Sequence, residues 1–186
     1  MRVMLHACCG PCLLEPLDAL SEGHDVTVCY ANPNIAPFEE YVRRRDVLLG
    51  YADSAHVPVL EVPYQPDRWL AVVCGVERDP VSRCRACFRL RLGLVAAEAR
   101  RGGYDAVATT LTVSPYQDPV AIREAGEEVC AAEGVHFLVT DFRDRYPEAT
   151  RRSRELGMYR QSYCGCEPSR VEAEAERERR RASRQR

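Results

Sequence analysis

The chain has 186 residues, 26 arginine plus lysine against 28 aspartate plus glutamate for a net charge of −2, and 46% hydrophobic residues. That balance gives one globular domain with a core of its own and excludes a disordered, collagen-like or disulfide-dependent miniprotein. Every basic residue is arginine, which removes Schiff-base lysine chemistry and a P-loop lysine under nucleotide phosphates, whereas cysteine is abundant, at ten residues.

Met1-Arg2-Val3-Met4-Leu5-His6-Ala7-Cys8 reads as a first strand, not as a signal peptide. No segment approaches the roughly 18 consecutive apolar residues of a membrane span. The expected location is the cytoplasm, with no membrane partner, and there reduced cysteines point to metal or redox chemistry over a disulfide framework.

Further apolar runs suited to buried strands follow at Val26 to Tyr30, Val57 to Val62, Ala106 to Leu111 and Phe137 to Thr140. Helical patterns lie between and after them, at 12–22, 37–53, 84–101, 118–133 and 148–158. Segment 63–83 has no long period and is expected to cross the sheet edge with one short helix around Trp69. The alternation predicts an α/β, Rossmann-like, mainly parallel sheet with helices on both faces and a metal site at the carboxyl ends of the strands. Residues 1–169 form this domain. Residues 170–186, with seven arginines and four glutamates, form a charged C-terminal helix or tail held by i,i+4 pairs or used as an arm on nucleic acid.

Seven cysteines fall into clusters: Cys8, Cys9 and Cys12 in Cys-Cys-Gly-Pro-Cys, Cys84 and Cys87 three residues apart, and Cys164 and Cys166 around Gly165. Cys8 and Cys9 are expected just beyond the first strand, with Cys12 at the start of the first helix. Cys84 and Cys87 are placed on one side of a helix N-terminus, where free amides favour thiolates. Four thiolates suit tetrahedral zinc or an iron–sulfur cluster. Adjacent cysteines reach two irons of a cube more easily than two vertices around one small ion, which favours [4Fe–4S] on Cys8, Cys9, Cys84 and Cys87. The remaining Cys12, Cys164 and Cys166 could hold a second, mononuclear metal such as iron, or Cys164 and Cys166 could cycle through a strained disulfide.

Plainer readings cover the other candidates. Cys29, Cys74 and Cys130 read as small core hydrophobes, His6 as a hydrogen-bonded core histidine, and His24, His56 and His136 as turn residues. Asn34, after the second strand, can cap a helix or contact a ligand, and Asp118 reads as the cap of the helix that follows it.

The series His6-Ala7-Cys8-Cys9-Gly10-Pro11-Cys12, Asn32-Pro33-Asn34-Ile35 with Glu40-Tyr41, Arg83-Cys84-x-x-Cys87-Phe88 with Arg91-Leu92, Thr109-Thr110-Leu111 with Ser114-Pro115, and Tyr159-Arg160-Gln161-x-Tyr163-Cys164-Gly165-Cys166 resembles the QueH family of epoxyqueuosine reductases. The resemblance implies the last step of queuosine synthesis, reduction of epoxyqueuosine to queuosine at the wobble position of tRNA. It implies a [4Fe–4S] cluster on Cys8, Cys9, Cys84 and Cys87, and a redox-active pair at Cys164 and Cys166 or an adjacent metal held with Cys12. Its partners would be tRNA carrying epoxyqueuosine and an external electron donor. Asn34, Arg83, Tyr116 and Tyr163 are the candidate substrate contacts, the tyrosines by stacking on an unpaired base. Arginines at 43–45, 83–91, 151–154 and the C-terminus are candidates for phosphate neutralisation.

Two other classes remain open at this stage. A tRNA-modifying ATPase of the PP-loop kind shares the fold, but Cys9-Gly10-Pro11-Cys12 stands where its phosphate loop belongs. A zinc-stabilised nucleic-acid-binding module would use the same thiols without redox chemistry.

Overall fold

The computed structural model describes residues 1–184. Five strands, β1 (Arg2–His6), β2 (Asp25–Tyr30), β3 (Val59–Glu61), β4 (Ala106–Thr109) and β5 (His136–Phe137), form one sheet in the order β3-β2-β1-β4-β5. Every neighbouring pair is parallel, with Val3 level with Val26 on one side and Ala106 on the other. The helices are α1 (Gly10–Ser21), α2 (Phe38–Ser54), α3 (Pro66–Val73), α4 (Pro80–Arg101), α5 (Pro119–Glu133), α6 (Tyr146–Glu155) and α7 (Glu167–Arg184).

Strand alternation builds two cores, as a parallel sheet buried on both faces requires. Val3 and Leu5 of β1 point to one face, against Leu13 and Leu17 of α1, Leu48 of α2 and Ala149 of α6. Met4 points to the other, with Val107, against Val95, Ala96 and Ala99 of α4 and Cys130 of α5. Gly10 lets α1 press onto α2, since a Cβ there would meet Val47 Cγ1 at 2.7 Å. The expected Rossmann-like α/β sandwich is the fold observed.

Element boundaries differ from the sequence reading in three useful places. The last strand has only two residues, His136 and Phe137, because the chain beyond Leu138 leaves the β4 edge instead of continuing the ladder. After β4 the expected strand turns into a single 3-10 turn at Thr110–Val113, opened by the Thr109 hydroxyl, which accepts from the Leu111 amide. Helix α4 begins at Pro80, four residues before Cys84, because the Asp79 carboxylate caps the Val81 and Ser82 amides.

The charged C-terminal segment is helical and continuous with the body. Helix α7 starts at Glu167, before the expected boundary at 170, and Glu172 pairs with Arg83 while Arg177 donates to the Ser162 carbonyl. Along its exposed side run the i,i+4 pairs Arg170–Glu174 and Arg180–Glu176. Residues 185 and 186 of the expected tail lie outside the described residues.

Candidate metal centre

The strand order reverses between β1 and β4, the switch point at which open α/β sheets place their sites, beyond the carboxyl ends of the strands. Cys8 and Cys9 leave β1 there, and Thr110 leaves β4. Their contact is direct, with Cys8 Sγ 3.9 Å from Thr110 Oγ1. Cys9 occupies the N-cap position of α1 and Cys12 lies in its first turn, where unpaired amides and the helix dipole favour anionic sulfur.

The sulfurs of Cys8, Cys9 and Cys12 lie within 4.8 Å of one another. Hydrogen bonds from the Cys12 and Cys9 thiols hold Cys8 well below the ordinary thiol range. Cys12 thus stands with the pair it follows in sequence, as expected from its place at the start of the first helix. All ten cysteines are free thiols.

Cys84 and Cys87 share a face of α4, but they do not stand at its N-terminus. Helix α4 starts earlier, so both cysteines lie deeper along it and the end-of-helix argument for their thiolates fails. Burial dominates instead, raising the Cys84 thiol to about 11 and the Cys87 thiol to about 12. Cys87 and Cys166 pack together with Trp69 and Val73 of α3, and the Cys164 and Cys166 sulfurs act electrostatically on both Cys84 and Cys87. The three clusters therefore converge on one region.

Side-chain amides reach two of the sulfurs. Gln161 Nε2 donates to Cys9 Sγ at 2.9 Å and Gln117 Nε2 to Cys164 Sγ at 3.5 Å. The loop carrying Cys164 and Cys166 is held in place by backbone contacts: Ala36 N donates to Gly165 O at 2.9 Å, and the Ser169 hydroxyl donates to Cys166 O at 2.8 Å. It is also held by a buried network. Tyr159 donates to Glu40 at 2.8 Å, Glu40 pairs with Arg44 at 2.7 Å, and Arg44 donates to the Cys164 carbonyl at 2.8 Å. Sequence reading missed the role of this network and placed Arg44 in a basic surface patch. The signal was the helical spacing of Glu40, Arg44 and Leu48, which sets all three on the buried face of α2.

The four candidate substrate contacts have different settings. Asn34 is buried beside the loop, with both side-chain polar atoms unpartnered, and its Nδ2 would lie 3.0 Å from a Cβ on Gly165. Tyr116 is 82% exposed and stands edge-on to Tyr146, one residue before the glutamine that touches Cys164. Arg83 is buried and holds the Glu77 carbonyl and Glu172, and Tyr163 donates to the Ala36 carbonyl at 2.6 Å beneath the Arg44 guanidinium.

The plainer readings fall out as follows. His6 is fully buried and bonded to Thr109 at 2.9 Å, Cys29 and Cys130 are in the core, and Asp118 caps α5 through the Val120 and Ala121 amides. Cys74 is the exception, because it follows the end of α3 and is exposed.

The donor set suits an anionic metal–thiolate group. Arg91 is 1% exposed, and among the described residues its one oxygen or nitrogen partner is Asn32 Oδ1, at 2.7 Å. A buried guanidinium without a carboxylate needs another anion nearby. The sulfurs of Cys8, Cys87 and Cys164 act electrostatically on it, so thiolates holding a metal centre would supply that charge.

The family model described as "Epoxyqueuosine reductase QueH" matches residues 3–172. Among relatives carrying that name, one from Staphylococcus aureus is 33% identical over 177 residues, 89% of this chain and 74% of its own length. One from Thermotoga maritima is 34% identical over 171 residues, 88% of each chain, and one from Streptococcus pyogenes is 34% identical over 174 residues, 88% of this chain and 68% of its own. A solved structure titled as a predicted subunit of tRNA methyltransferase from Methanocaldococcus jannaschii superposes with a TM-score of 0.52 over 85% of this chain and 89% of that one. At 10% identity it shows the fold alone.

Proposed function

The chain belongs to the epoxyqueuosine reductase QueH family, and from that premise we propose that it reduces epoxyqueuosine to queuosine at the wobble position of tRNA. The balance is simple: two electrons and two protons enter, the epoxide oxygen leaves as water, and the two ring carbons become an alkene. Such a step needs an electron source, an acid for the departing oxygen and a site shielded from solvent.

Cys8, Cys9, Cys84 and Cys87 are the proposed ligands of a [4Fe–4S] cluster, and the buried Arg91 charge, on which the Cys8 and Cys87 sulfurs act, supports that assignment. When bound, the cluster supplies electrons singly, received from an external reductase or ferredoxin-type donor. Cys164 and Cys166 can give two electrons by closing into a disulfide, and their two thiol protons would go to the epoxide oxygen as it departs as water. Gln117, through its bond to Cys164, orients that thiol. Tyr116, exposed next to Gln117, is the proposed platform for the flipped base, and Asn34 offers unpaired amide atoms to the modified base. No described helix is long and apolar enough to cross a membrane, which suits an enzyme working on tRNA in the cytoplasm.

A single metal ion is the second reading, because three sulfurs within 4.8 Å suit one ion better than separate corners of a cube. The carrying observation for the cluster is the convergence of sulfurs from three segments on Arg91, including Cys87 of α4, outside that trio.

The test is anaerobic purification with iron, sulfide and zinc analysis, followed by turnover of epoxyqueuosine-containing tRNA. A band near about 400 nm with iron and sulfide, and turnover lost in Cys164→Ser and Cys166→Ser while iron is retained, is the expected outcome. A colourless zinc protein after failed reconstitution would overturn the cluster assignment.

A further inference from the structure

Arg91 is an unusual residue to find in this position. It is among the largest fully buried side chains, and no carboxylate pairs with it among the described residues. Helix α4 sets it one turn beyond Cys87, at i+4, so the guanidinium and the sulfur share a face. Cys87 also meets Trp69 of α3, which packs against Cys87 and Cys166 with an indole N–H that has no oxygen or nitrogen partner. Two buried donor groups, one of them charged, thus reach the same thiol.

A positive charge and N–H donors beside a metal-bound sulfur favour the more negative, reduced state of the centre. The effect is large in a buried site, where screening is weak. Arg91 also stays charged at every accessible pH, so its contribution does not switch off.

We propose that Arg91, with Trp69 beside it, sets the reduction potential of the thiolate-held metal centre, raising it so that the external donor can reduce it. The step concerned is one electron passing from that donor to the centre, with no bond made or broken. The inference rests on the cluster assignment above. Arg91 and Trp69 act through the thiols and are not placed against substrate.

The test is a dye-equilibrated redox titration of anaerobically loaded protein, followed in the visible band, with iron measured on the same samples. Arg91→Gln keeps a polar amide near the position of the arginine Nε and removes the charge. Its centre is expected to be about tenfold harder to reduce, a shift of about 59 mV to lower potential for one electron. Trp69→Phe removes the N–H and keeps an aromatic ring, and should shift the potential the same way by less. Arg91→Lys, which restores the charge, should return most of the loss.

Loaded Arg91→Gln and Trp69→Phe proteins that titrate with the wild type would overturn the proposal. Should Arg91→Gln fail to fold or load, Trp69→Phe and Arg91→Lys decide: the wild-type potential in Trp69→Phe counts against it. A wild-type chain that takes up no iron would sink the cluster assignment itself, and this inference with it, and is told apart because the wild type alone fails.

Discussion

Arg44 Nη1 donates to the Cys164 carbonyl at 2.8 Å while Nη2 reaches the Tyr163 carbonyl at 3.2 Å. One buried side chain of α2 thereby fixes two successive peptide groups of the loop that carries the Cys164 and Cys166 pair. The rigid guanidinium fork serves both carbonyls while its Nε holds Glu40, an arrangement that a lysine ammonium on its flexible stem does not fix. Arg44→Lys should therefore leave the fold intact but free the loop, raising the alkylation rate of Cys164 in native, metal-free protein. An unchanged rate would show that the backbone bonds to Ala36 and Ser169 suffice to hold it.

The same network has a second entrance at Tyr159. Its hydroxyl donates to both Glu40 oxygens, at 2.8 and 3.1 Å, and a hydrogen bond to a charged group contributes about 1.5–3 kcal/mol. Tyr159→Phe should lower the unfolding free energy read from urea denaturation by an amount within that range, less what water restores at this half-buried site. Glu40→Ala should cost more, because it strands a buried guanidinium, at about 3–5 kcal/mol for a broken buried pair. A smaller loss for Glu40→Ala than for Tyr159→Phe would contradict this ordering.

Much of this arrangement was legible beforehand, and the exceptions share a cause. Strand β2 and helix α5 announce themselves by a run of apolar residues and by an Asp-Pro start with a closing glycine, so their limits were readable nearly to the residue. The cysteine clusters were legible because spacing alone carries them. What sequence hides is which arginines are inside: Arg43, Arg44 and Arg45 look alike in a row, yet the middle one is 1% exposed, whereas Arg43 lies over the Tyr159 ring and Arg45 pairs with Glu61. Arg91 is hidden in the same way, since only its helical spacing with Cys87, Phe88 and Val95 sets it on the buried face of α4. Cys74 misled in the other direction, since its apolar neighbour Val73 ends α3 facing inward and leaves the next residue outside.

That difference between Cys74 and the core cysteines can be read chemically. Cys74 is exposed, whereas burial pushes the Cys29 and Cys130 thiols up to about 12, leaving almost no thiolate at neutral pH. Brief iodoacetamide treatment of native protein at neutral pH should label Cys74 and spare Cys29 and Cys130, which become reactive only in denaturant. Peptide mass spectrometry checks this, and labelling of Cys130 before unfolding would show that the α4–α5 core opens locally.

The cap of α4 gives a pH signature. Bonds from the Ser82 side chain and amide, together with the Val81 amide, hold the Asp79 carboxyl below its usual range. Because its folded pKa lies below its unfolded one, the contribution is present in full above the unfolded value and disappears as pH falls through the folded value. Asp79→Asn keeps a capping side chain but does not titrate. The stability difference between wild type and Asp79→Asn should therefore narrow on acidification from pH 5 towards pH 2, on the order of the usual carboxylate range. A constant difference would mean that the cap's charge adds nothing to its hydrogen bonds.

Two glycine substitutions should have opposite signs. Gly165 sits between the paired cysteines at a φ of +145°, and a Cβ there would come within 3.0 Å of Asn34 Nδ2 and Ile35 Cγ1 and 3.3 Å of Arg44 Nη1. Backbone strain alone costs about 1–3 kcal/mol for a side chain in such a region, and the displaced neighbours are those that hold the loop. Gly50 lies in the interior of α2, exposed, with nothing within 4 Å of an added Cβ, so alanine there removes backbone freedom from the unfolded chain and should stabilise by about 0.5–1 kcal/mol. Thermal melts of Gly165→Ala and Gly50→Ala should move in opposite directions, and only Gly165→Ala should impair turnover, since only it moves Cys164 and Cys166. Equal melts would mean that the Gly165 loop relaxes freely, and the fixed placement of the two thiols would then have to be abandoned.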